Sequence, residues 1–138
     1  MDGEGARVNG GRWNSVGVGI VYTAGSISLA ILELLVHFNA PDILTQNYVI
    51  IPIEFEDTLL KAQQIRDLPN DWQASPAPVT TQQIGNQWVS SASSAVLQVP
   101  SAIVPEEVNY LINPLHPDFG KIIVGRPERL HLDPRLIK

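Results

Sequence analysis

The sequence predicts an α+β domain in which mixed or antiparallel sheets surround a central buried helix. Three observations support this prediction. Apolar residues occur on nearly every side of the helical wheel between residues 27 and 38, which is typical of a helix inside a core. Runs of β-branched and aromatic residues lie on both sides of that helix. They do not alternate regularly with helices, as βαβ units would require, so an α+β arrangement is favoured.

The first part of the chain is rich in glycine. The six glycines between residues 3 and 19 predict a loop that turns tightly or approaches a ligand closely. Residues 18–23 have the composition of a buried strand, and Ser26 is the expected N-cap of the helix that follows. One face of that helix combines small and polar groups at a spacing of three and four residues. Its members are Ser26, Ala30, Glu33 and His37.

The middle of the chain predicts one strand and two helices. Residues 47–56 alternate as a strand, although Pro52 indicates an edge or a bulge because it lacks a backbone donor. Residues 57–66 favour a short helix. Residues 79–91 favour another helix, whose polar side chains we expect to face solvent.

The last part of the chain predicts two more buried strands, at residues 95–99 and 121–124. Four prolines between residues 100 and 117 argue against regular structure in that segment. The tail, residues 128–138, is a candidate for a final strand.

Composition excludes several classes of function. A chain of 138 residues with 44% hydrophobic and 17% charged residues suits one globular domain. A net charge of −5 with only nine Lys and Arg argues against direct nucleic-acid binding. The chain has no cysteine, no hydrophobic leader and no apolar run long enough to cross a membrane, so we expect a cytoplasmic location.

Glu33 is the most informative polar residue, because a carboxylate in an apolar helix is costly to bury unless it is paired, hydrogen-bonded or protonated. The structural interpretation is a core ion pair or a carboxylate that reaches the surface. The functional interpretation is an active-site carboxylate. Residue type and spacing leave these two alternatives open.

Arg12 and Tyr22 are candidates for the same site. Arg12 follows two glycines in GGRWN, and its guanidinium fork suits a phosphate or a carboxylate. The alternative is a loop arginine resting on Trp13. Tyr22 ends the predicted strand, where a core aromatic is the simpler interpretation than a ligand platform.

Ser101 and Asn109 follow the strand predicted at residues 95–99. Each could bind a ligand, or could only brace its loop. Other familiar signals are spurious: Tyr22 stands where a dinucleotide fingerprint needs glycine, and DFG at residues 118–120 lacks the other kinase motifs. The three histidines show no metal-ligand spacing, so we expect no metal.

Two blocks of sequence resemble the RES-domain family, which is named for its Arg, Glu and Ser. The first is GEGARVNGGRWNSVGVGIVYTAGSISLAILELLVH, residues 3–37, and the second is VPSAIVPEEVNYLINPLHPDF, residues 99–119. The resemblance implies one RES domain over residues 1–138 with an ADP-ribosyltransferase-like fold. It also implies that the strand usually preceding this lead in the family is missing here.

The resemblance further implies a function. The chain is expected to be the toxin of a toxin–antitoxin pair, to consume NAD as substrate by cleaving its nicotinamide–ribose bond, and to bind an Xre-type antitoxin. A homodimer stays open. The family's residues match a catalytic set and a substrate-binding set. These are Arg12, Tyr22 and Glu33, and then Ser101, Asn109 and Trp13.

Two alternatives accompany that expectation. The chain could transfer ADP-ribose from NAD to a protein acceptor, or use phosphate in place of water. It could also be a truncated, non-catalytic RES-like module that only binds its antitoxin or a nucleotide. The sequence does not separate these outcomes.

Overall fold

The computed structural model describes residues 1–38 and 40–136. The helices are α1 (Glu4–Asn9), α2 (Ile27–His37), α3 (Ala40–Thr45) and α4 (Val79–Ser91). The strands are β1 (Val21–Ala24), β2 (Tyr48–Ile50), β3 (Ile53–Glu54), β4 (Leu60–Ala62), β5 (Val96–Pro100), β6 (Val108–Ile112), β7 (Ile123–Val124) and β8 (Glu128–Leu130). Short 3-10 helices occupy Asp57–Leu59, Ile65–Asp67, Phe119–Lys121 and Pro134–Leu136.

A four-stranded sheet in the order β1-β6-β5-β4 forms the centre of the fold. β4 and β5 are parallel, and the other two pairs are antiparallel. Two antiparallel ribbons, β2 with β8 and β3 with β7, complete the strand pairing. The mixed sheet confirms the predicted α+β class.

Both faces of the central sheet are covered by apolar side chains. On one face, Leu97, Val99 and Leu111 pack with three tryptophans and an isoleucine: Trp13, Trp72, Trp88 and Ile20. On the other face, Val96 and Ile112 pack with Leu59 and Ile122. Because side chains alternate along each strand, consecutive apolar residues of β5 and β6 supply both cores.

The prediction that α2 is a buried central helix is wrong. Leu29 is its buried side chain, whereas Ile27 is 59% exposed and Val36 is 58% exposed. The helix packs on β1. Apolar residues on every side of a helix allow it to be buried, but its actual burial depends on which elements pack around it.

Two further predictions fail because tertiary pairing overrides local preference. Residues 57–66 form two 3-10 turns around β4 instead of a helix, since β4 pairs with β5. The proline-rich segment contains β6, an inner strand of the sheet, because residues 108–112 hold no proline. The strand predicted at residues 121–124 exists as β7, but it is exposed and not buried.

The N-terminal loop is shorter than predicted, because α1 forms within it and the strand expected at residues 18–23 is β1. Several other expectations are confirmed. The bounds of α4 are as predicted, and Ser26 caps α2 by accepting a hydrogen bond from the Leu29 N–H at 3.1 Å. Pro52 separates β2 from β3, and β8 is the strand expected in the tail, whose residues 137 and 138 lie outside the described residues.

Candidate active site

The candidate site lies at one end of the central sheet, where β1, β6 and the turn after β5 meet α2. Tyr22 pairs with Leu111, and Ala24 pairs with Asn109. Since side chains alternate, Tyr22 and Asn109 are diagonal neighbours on one face of the sheet. The fold therefore brings a residue of the first sequence block beside one of the second.

Glu33 reaches this end of the sheet from α2. Its Oε1 accepts a hydrogen bond from Asn109 Nδ2 at 2.8 Å and a longer one from Ser101 Oγ at 3.3 Å. The carboxylate is half-buried, and both hydrogen bonds converge on one oxygen. Hydrogen bonds to an ionised carboxylate are stronger than neutral ones, so this pair of donors fixes the orientation of the acid.

Ser101 holds Glu33 and has no capacity left for a substrate. The residue is fully buried, and its hydroxyl oxygen accepts from the backbone N–H groups of Ile103 and Val104, both at 3.1 Å. A serine hydroxyl has one proton and two lone pairs, and all are engaged. The predicted substrate-binding role for Ser101 is therefore replaced by a supporting one.

Asn109 has a different balance of partners. Its Nδ2 donates to Glu33, while its Oδ1 is buried and has no hydrogen-bond partner within the part of the chain that the structure describes. An unpaired buried acceptor costs free energy, so it calls for a reason, and a role in a functional site is one such reason. Asn109 therefore remains in the candidate site: its amide donates a hydrogen bond to Glu33, and its carbonyl oxygen is an unused acceptor.

The second wall of the site is a tight turn at Gly11–Asn14, in which the Gly11 N–H donates to the Asn14 carbonyl at 3.0 Å. Two polar residues of α4 fasten this turn. Gln82 Nε2 donates to the Gly11 carbonyl at 3.1 Å, and the Asn86 amide bonds both the N–H and the hydroxyl of Ser15. The expectation that polar residues of α4 face solvent is wrong for these two, because they bond the turn, and for Thr81, which is fully buried.

Arg12 projects from the turn and is fixed through one nitrogen. Its Nη1 donates to the backbone carbonyls of Trp72 at 2.7 Å and Ala74 at 2.9 Å. Burial lowers the pKa of Arg12, while the charge of Glu33 and the phenol of Tyr22 act in the opposite direction. The charges of Arg12 and Glu33 therefore influence each other, although the salt bridges found within the described residues do not include this pair.

Tyr22 is anchored by its hydroxyl and open at its ring. The hydroxyl donates to Asn14 Oδ1 at 2.5 Å and accepts from the Trp13 N–H at 3.0 Å. Burial of that end raises the pKa of Tyr22. The residue as a whole is nevertheless 40% exposed, so the ring offers a surface to a ligand.

Trp13 does not join the site through its side chain. The residue is 3% exposed and packs in the core with Trp72 and Trp88. An indole enclosed in this way has no surface for a ligand, so burial removes Trp13 from the predicted substrate-binding set. Its backbone N–H contributes instead, through the bond to Tyr22.

The sequence-based interpretation missed Asn14, which is fully buried and makes more side-chain hydrogen bonds than its neighbours in the turn. Its Nδ2 donates to the carbonyls of Ala6, Ser15 and Val18. The available signal was an asparagine directly after a core tryptophan in a glycine-rich turn, where asparagine commonly binds nearby backbone groups.

Neither a metal-binding cluster nor a membrane-spanning helix is found in the described ranges, 1–38 and 40–136. No group of three or more His, Asp or Glu residues there is placed to hold a metal ion. No helix there is long and apolar enough to cross a membrane.

Comparison with known proteins places the chain in a family. The RES domain family model matches residues 1–133. The chain is 43% identical over 141 residues to the "Prs ADP-ribosylating toxin" of Sphingobium sp. strain YBL2, with 100% of this chain and 87% of the relative covered. It is 43% identical over 135 residues to "Toxin Res" of Yersinia enterocolitica, with 97% and 88% covered.

A solved structure has the same fold at lower identity. It is the Mycobacterium tuberculosis MbcT-MbcA toxin-antitoxin complex, one chain of which matches with a TM-score of 0.74 and 21% identity. The match covers 99% of this chain and 79% of that chain. Together with the family match over residues 1–133, the two relatives establish that the chain belongs to the RES domain family.

Proposed function

We propose that this protein is a toxin that cleaves the nicotinamide–ribose bond of NAD. The observation that supports the proposal best is the Glu33 carboxylate, which is half-buried, held through one oxygen by Asn109 and Ser101, and within electrostatic reach of Arg12. A carboxyl group held in one orientation, in a site that also holds a guanidinium, is suited to a substrate that carries both a reacting sugar and a pyrophosphate.

The chemistry needs a fixed negative charge. When the bond between the ribose anomeric carbon and the nicotinamide nitrogen breaks, its electron pair stays with nicotinamide and positive charge develops on the sugar. A carboxylate close to that carbon stabilises the oxocarbenium-like transition state more than the ground state. Glu33 supplies this charge, and Asn109 and Ser101 hold it in one orientation.

Arg12 and Tyr22 take supporting roles toward the substrate. Both described hydrogen bonds of Arg12 use Nη1, so Nη2 and Nε are the atoms assigned to the pyrophosphate. The Tyr22 hydroxyl already donates one hydrogen bond and accepts another within the protein. The exposed ring is therefore the part of Tyr22 that packs against nicotinamide.

An antitoxin of the Xre type is the proposed protein partner. Two observations support an antitoxin: the solved structure with the same fold is part of a toxin–antitoxin complex, and a relative at 43% identity is named Toxin Res. We propose a cytoplasmic location and no direct contact with nucleic acid, in keeping with the net charge of −5. Association with a second copy of the chain stays a prediction.

A second candidate function is transfer of ADP-ribose to a protein. The relative from Sphingobium sp. favours it, because that protein is named an ADP-ribosylating toxin. Both functions share the cleavage step and differ only in the nucleophile. Incubation of the pure protein with labelled NAD, with and without phosphate or cell lysate, distinguishes free ADP-ribose, a phosphorylated product and a labelled protein.

The Glu33→Gln substitution tests the cleavage step, because it keeps the shape of the side chain and removes its charge. We expect the rate of nicotinamide release to fall by about 100-fold or more, with little change in the free energy of unfolding. Glu128→Gln, on an exposed strand, is the matched control. A rate of NAD consumption that is unchanged by Glu33→Gln would contradict the proposal.

A further inference from the structure

We propose that Asn14 is a positioning residue for Tyr22: its amide holds the Tyr22 hydroxyl so that the ring presents one fixed face to the nicotinamide end of the substrate. This inference rests on the proposed function. It assigns a role to a residue that does not itself face the substrate. The supporting contact is the hydrogen bond from the Tyr22 hydroxyl to Asn14 Oδ1, at 2.5 Å.

The hydroxyl of Tyr22 is committed to the protein. It donates its proton to Asn14 and accepts from the Trp13 N–H at 3.0 Å. What Tyr22 offers a ligand is therefore its ring, not its hydroxyl. The hydroxyl oxygen lies on the axis of the ring's broad terminal torsion, and a phenolic O–H prefers the plane of its ring. Two hydrogen bonds at this oxygen therefore fix its position and favour one orientation of the ring.

Asn14 is itself immobilised, which makes it a firm anchor. It is fully buried, and its Nδ2 is shared among the carbonyls of Ala6, Ser15 and Val18 at distances of 2.8 to 3.3 Å. These carbonyls belong to α1, to the turn and to the segment before β1. The amide thus connects three pieces of backbone to one phenol.

Gly11 closes the space around this contact. A Cβ added at Gly11 would lie 2.7 Å from the Tyr22 hydroxyl oxygen and 2.9 Å from Asn14 Oδ1. Such distances are shorter than van der Waals contact, so even a methyl group must displace one partner. The glycine that begins the turn is needed for the close approach of these two side chains.

A positioning role and a purely structural role make different predictions. Asn86 fastens the same turn through Ser15 but does not touch Tyr22. If Asn14 only stabilised the turn, Asn14→Ala and Asn86→Ala would affect catalysis alike. If Asn14 positions the ring, its effect on NAD binding depends on the Tyr22 hydroxyl and disappears when that hydroxyl is removed.

The experiment is a double-mutant cycle of Asn14→Ala with Tyr22→Phe, with Asn86→Ala as control. We expect Asn14→Ala to raise the KM for NAD by about 10-fold, through loss of the bond to the Tyr22 hydroxyl, and to lower kcat less. The loss of its three bonds to backbone carbonyls should instead lower the thermal midpoint. In the Tyr22→Phe background we expect the same substitution to change KM less than about twofold. Asn86→Ala should lower the thermal midpoint and leave KM within about twofold.

A second measurement does not depend on catalysis. The chain has three tyrosines, so the Tyr22 ring and hydroxyl signals in NMR spectra are assigned by their loss in Tyr22→Phe. We expect the hydroxyl proton of Tyr22 to exchange slowly with water in the wild-type protein and rapidly in Asn14→Ala. Gly11→Ala keeps the Asn14 side chain but places a methyl group against it, so it should shift the same Tyr22 signals. It is the substitute variant if Asn14→Ala does not fold.

Three results would overturn the proposal: equal KM changes in Asn14→Ala and Asn86→Ala, an undiminished effect of Asn14→Ala in the Tyr22→Phe background, or Tyr22 signals unchanged by Asn14→Ala and Gly11→Ala. A wild-type protein that consumes no NAD would instead contradict the proposed function. In that case the NMR signals alone decide whether Asn14 holds Tyr22.

Discussion

The two walls of the candidate site are built in opposite ways. The turn at Gly11–Asn14 is enclosed: Trp13 lies in the core, Asn14 is fully buried, and α4 bonds the turn from behind. Helix α2, which carries Glu33, is open on most sides and keeps Leu29 as its buried side chain. The wall formed by the turn is fixed by burial, and the wall formed by α2 is fixed by two hydrogen bonds to one oxygen of the Glu33 carboxylate.

This difference separates stability from activity. Substitutions of Trp13, or of the α4 residues packed behind the turn, should first lower the free energy of unfolding, whereas Asn14 contacts Tyr22 and is expected to affect KM as well. Most positions on α2 contact solvent, so substitutions there, apart from Leu29, leave the fold intact and act on the site through Glu33 and its donors. The following predictions test this division, beginning with the largest expected effect.

Gly85→Ala should be the most damaging small substitution. Gly85 lies in α4 directly against the turn, and an added Cβ would overlap the carbonyl oxygen of Trp13. We expect a loss of about 3 kcal/mol or more in the free energy of unfolding, measured by urea denaturation. Gly5→Ala, in α1, where an added Cβ would meet nothing within 4 Å, should instead stabilise the fold by about 0.5 kcal/mol. Equal effects at the two glycines would show that the turn does not depend on this contact.

Within α2, one apolar residue should matter far more than another. Leu29→Ala removes the buried side chain and should cost about 3 kcal/mol in the free energy of unfolding. Ile27→Ala, two positions earlier and 59% exposed, should change it by less than about 0.5 kcal/mol. A large loss in Ile27→Ala would indicate that the outer face of the helix is covered in solution.

Asn109→Leu should reduce activity more than stability. It removes the donor to Glu33, so we expect the rate of nicotinamide release to fall by about 10-fold. It also removes a buried acceptor without a described partner, which limits the loss of stability to about 1 kcal/mol. Asn113→Leu is the control, because that buried amide bonds Leu115 and Val89 and should cost stability without a specific loss of activity. The reverse ranking would contradict the role given to Asn109.

The smallest expected effect is a dependence of stability on alkaline pH. Burial raises the pKa of Tyr22 above its ordinary value of 10.0. The unfolded chain then loses the phenol proton first, so the contribution of Tyr22 is fully present below pH 10 and is lost as the pH rises beyond it. Denaturation at pH 9 and pH 11 should show a decline that is smaller in Tyr22→Phe. An equal decline in both proteins would count against a buried hydroxyl.

The sequence predicted more of the residues in the candidate site than of the details of the fold. Arg12, Tyr22, Glu33 and Asn109 meet at one end of the sheet, although the roles given to them stay proposals. Ser101 was expected to bind substrate, and only the tertiary structure reveals that its hydroxyl uses all its hydrogen-bonding capacity on Glu33, Ile103 and Val104. Hydrogen-bond capacity depends on neighbours that are distant in sequence, so residue type alone could not reveal this.

The same limit applies to Asn14, whose importance comes from four backbone and side-chain partners brought together by the turn. It also applies to β6, since its place inside the sheet depends on pairing with β1 and β5 and not on the prolines around it. The prediction of a single domain over residues 1–138 stays a prediction.

By itself, the sequence determined the α+β class, the bounds of α4, the cap of α2 and the membership of the family, because these depend on local pattern, capping chemistry and residues at fixed spacing. Only the tertiary structure decided that α2 is mostly exposed, that Trp13 belongs to the core, that Ser101 bonds Glu33 and that Asn14 bonds Tyr22. Burial and hydrogen-bond saturation are properties of a side chain together with its neighbours in space, and the linear order of residues does not specify which neighbours those are.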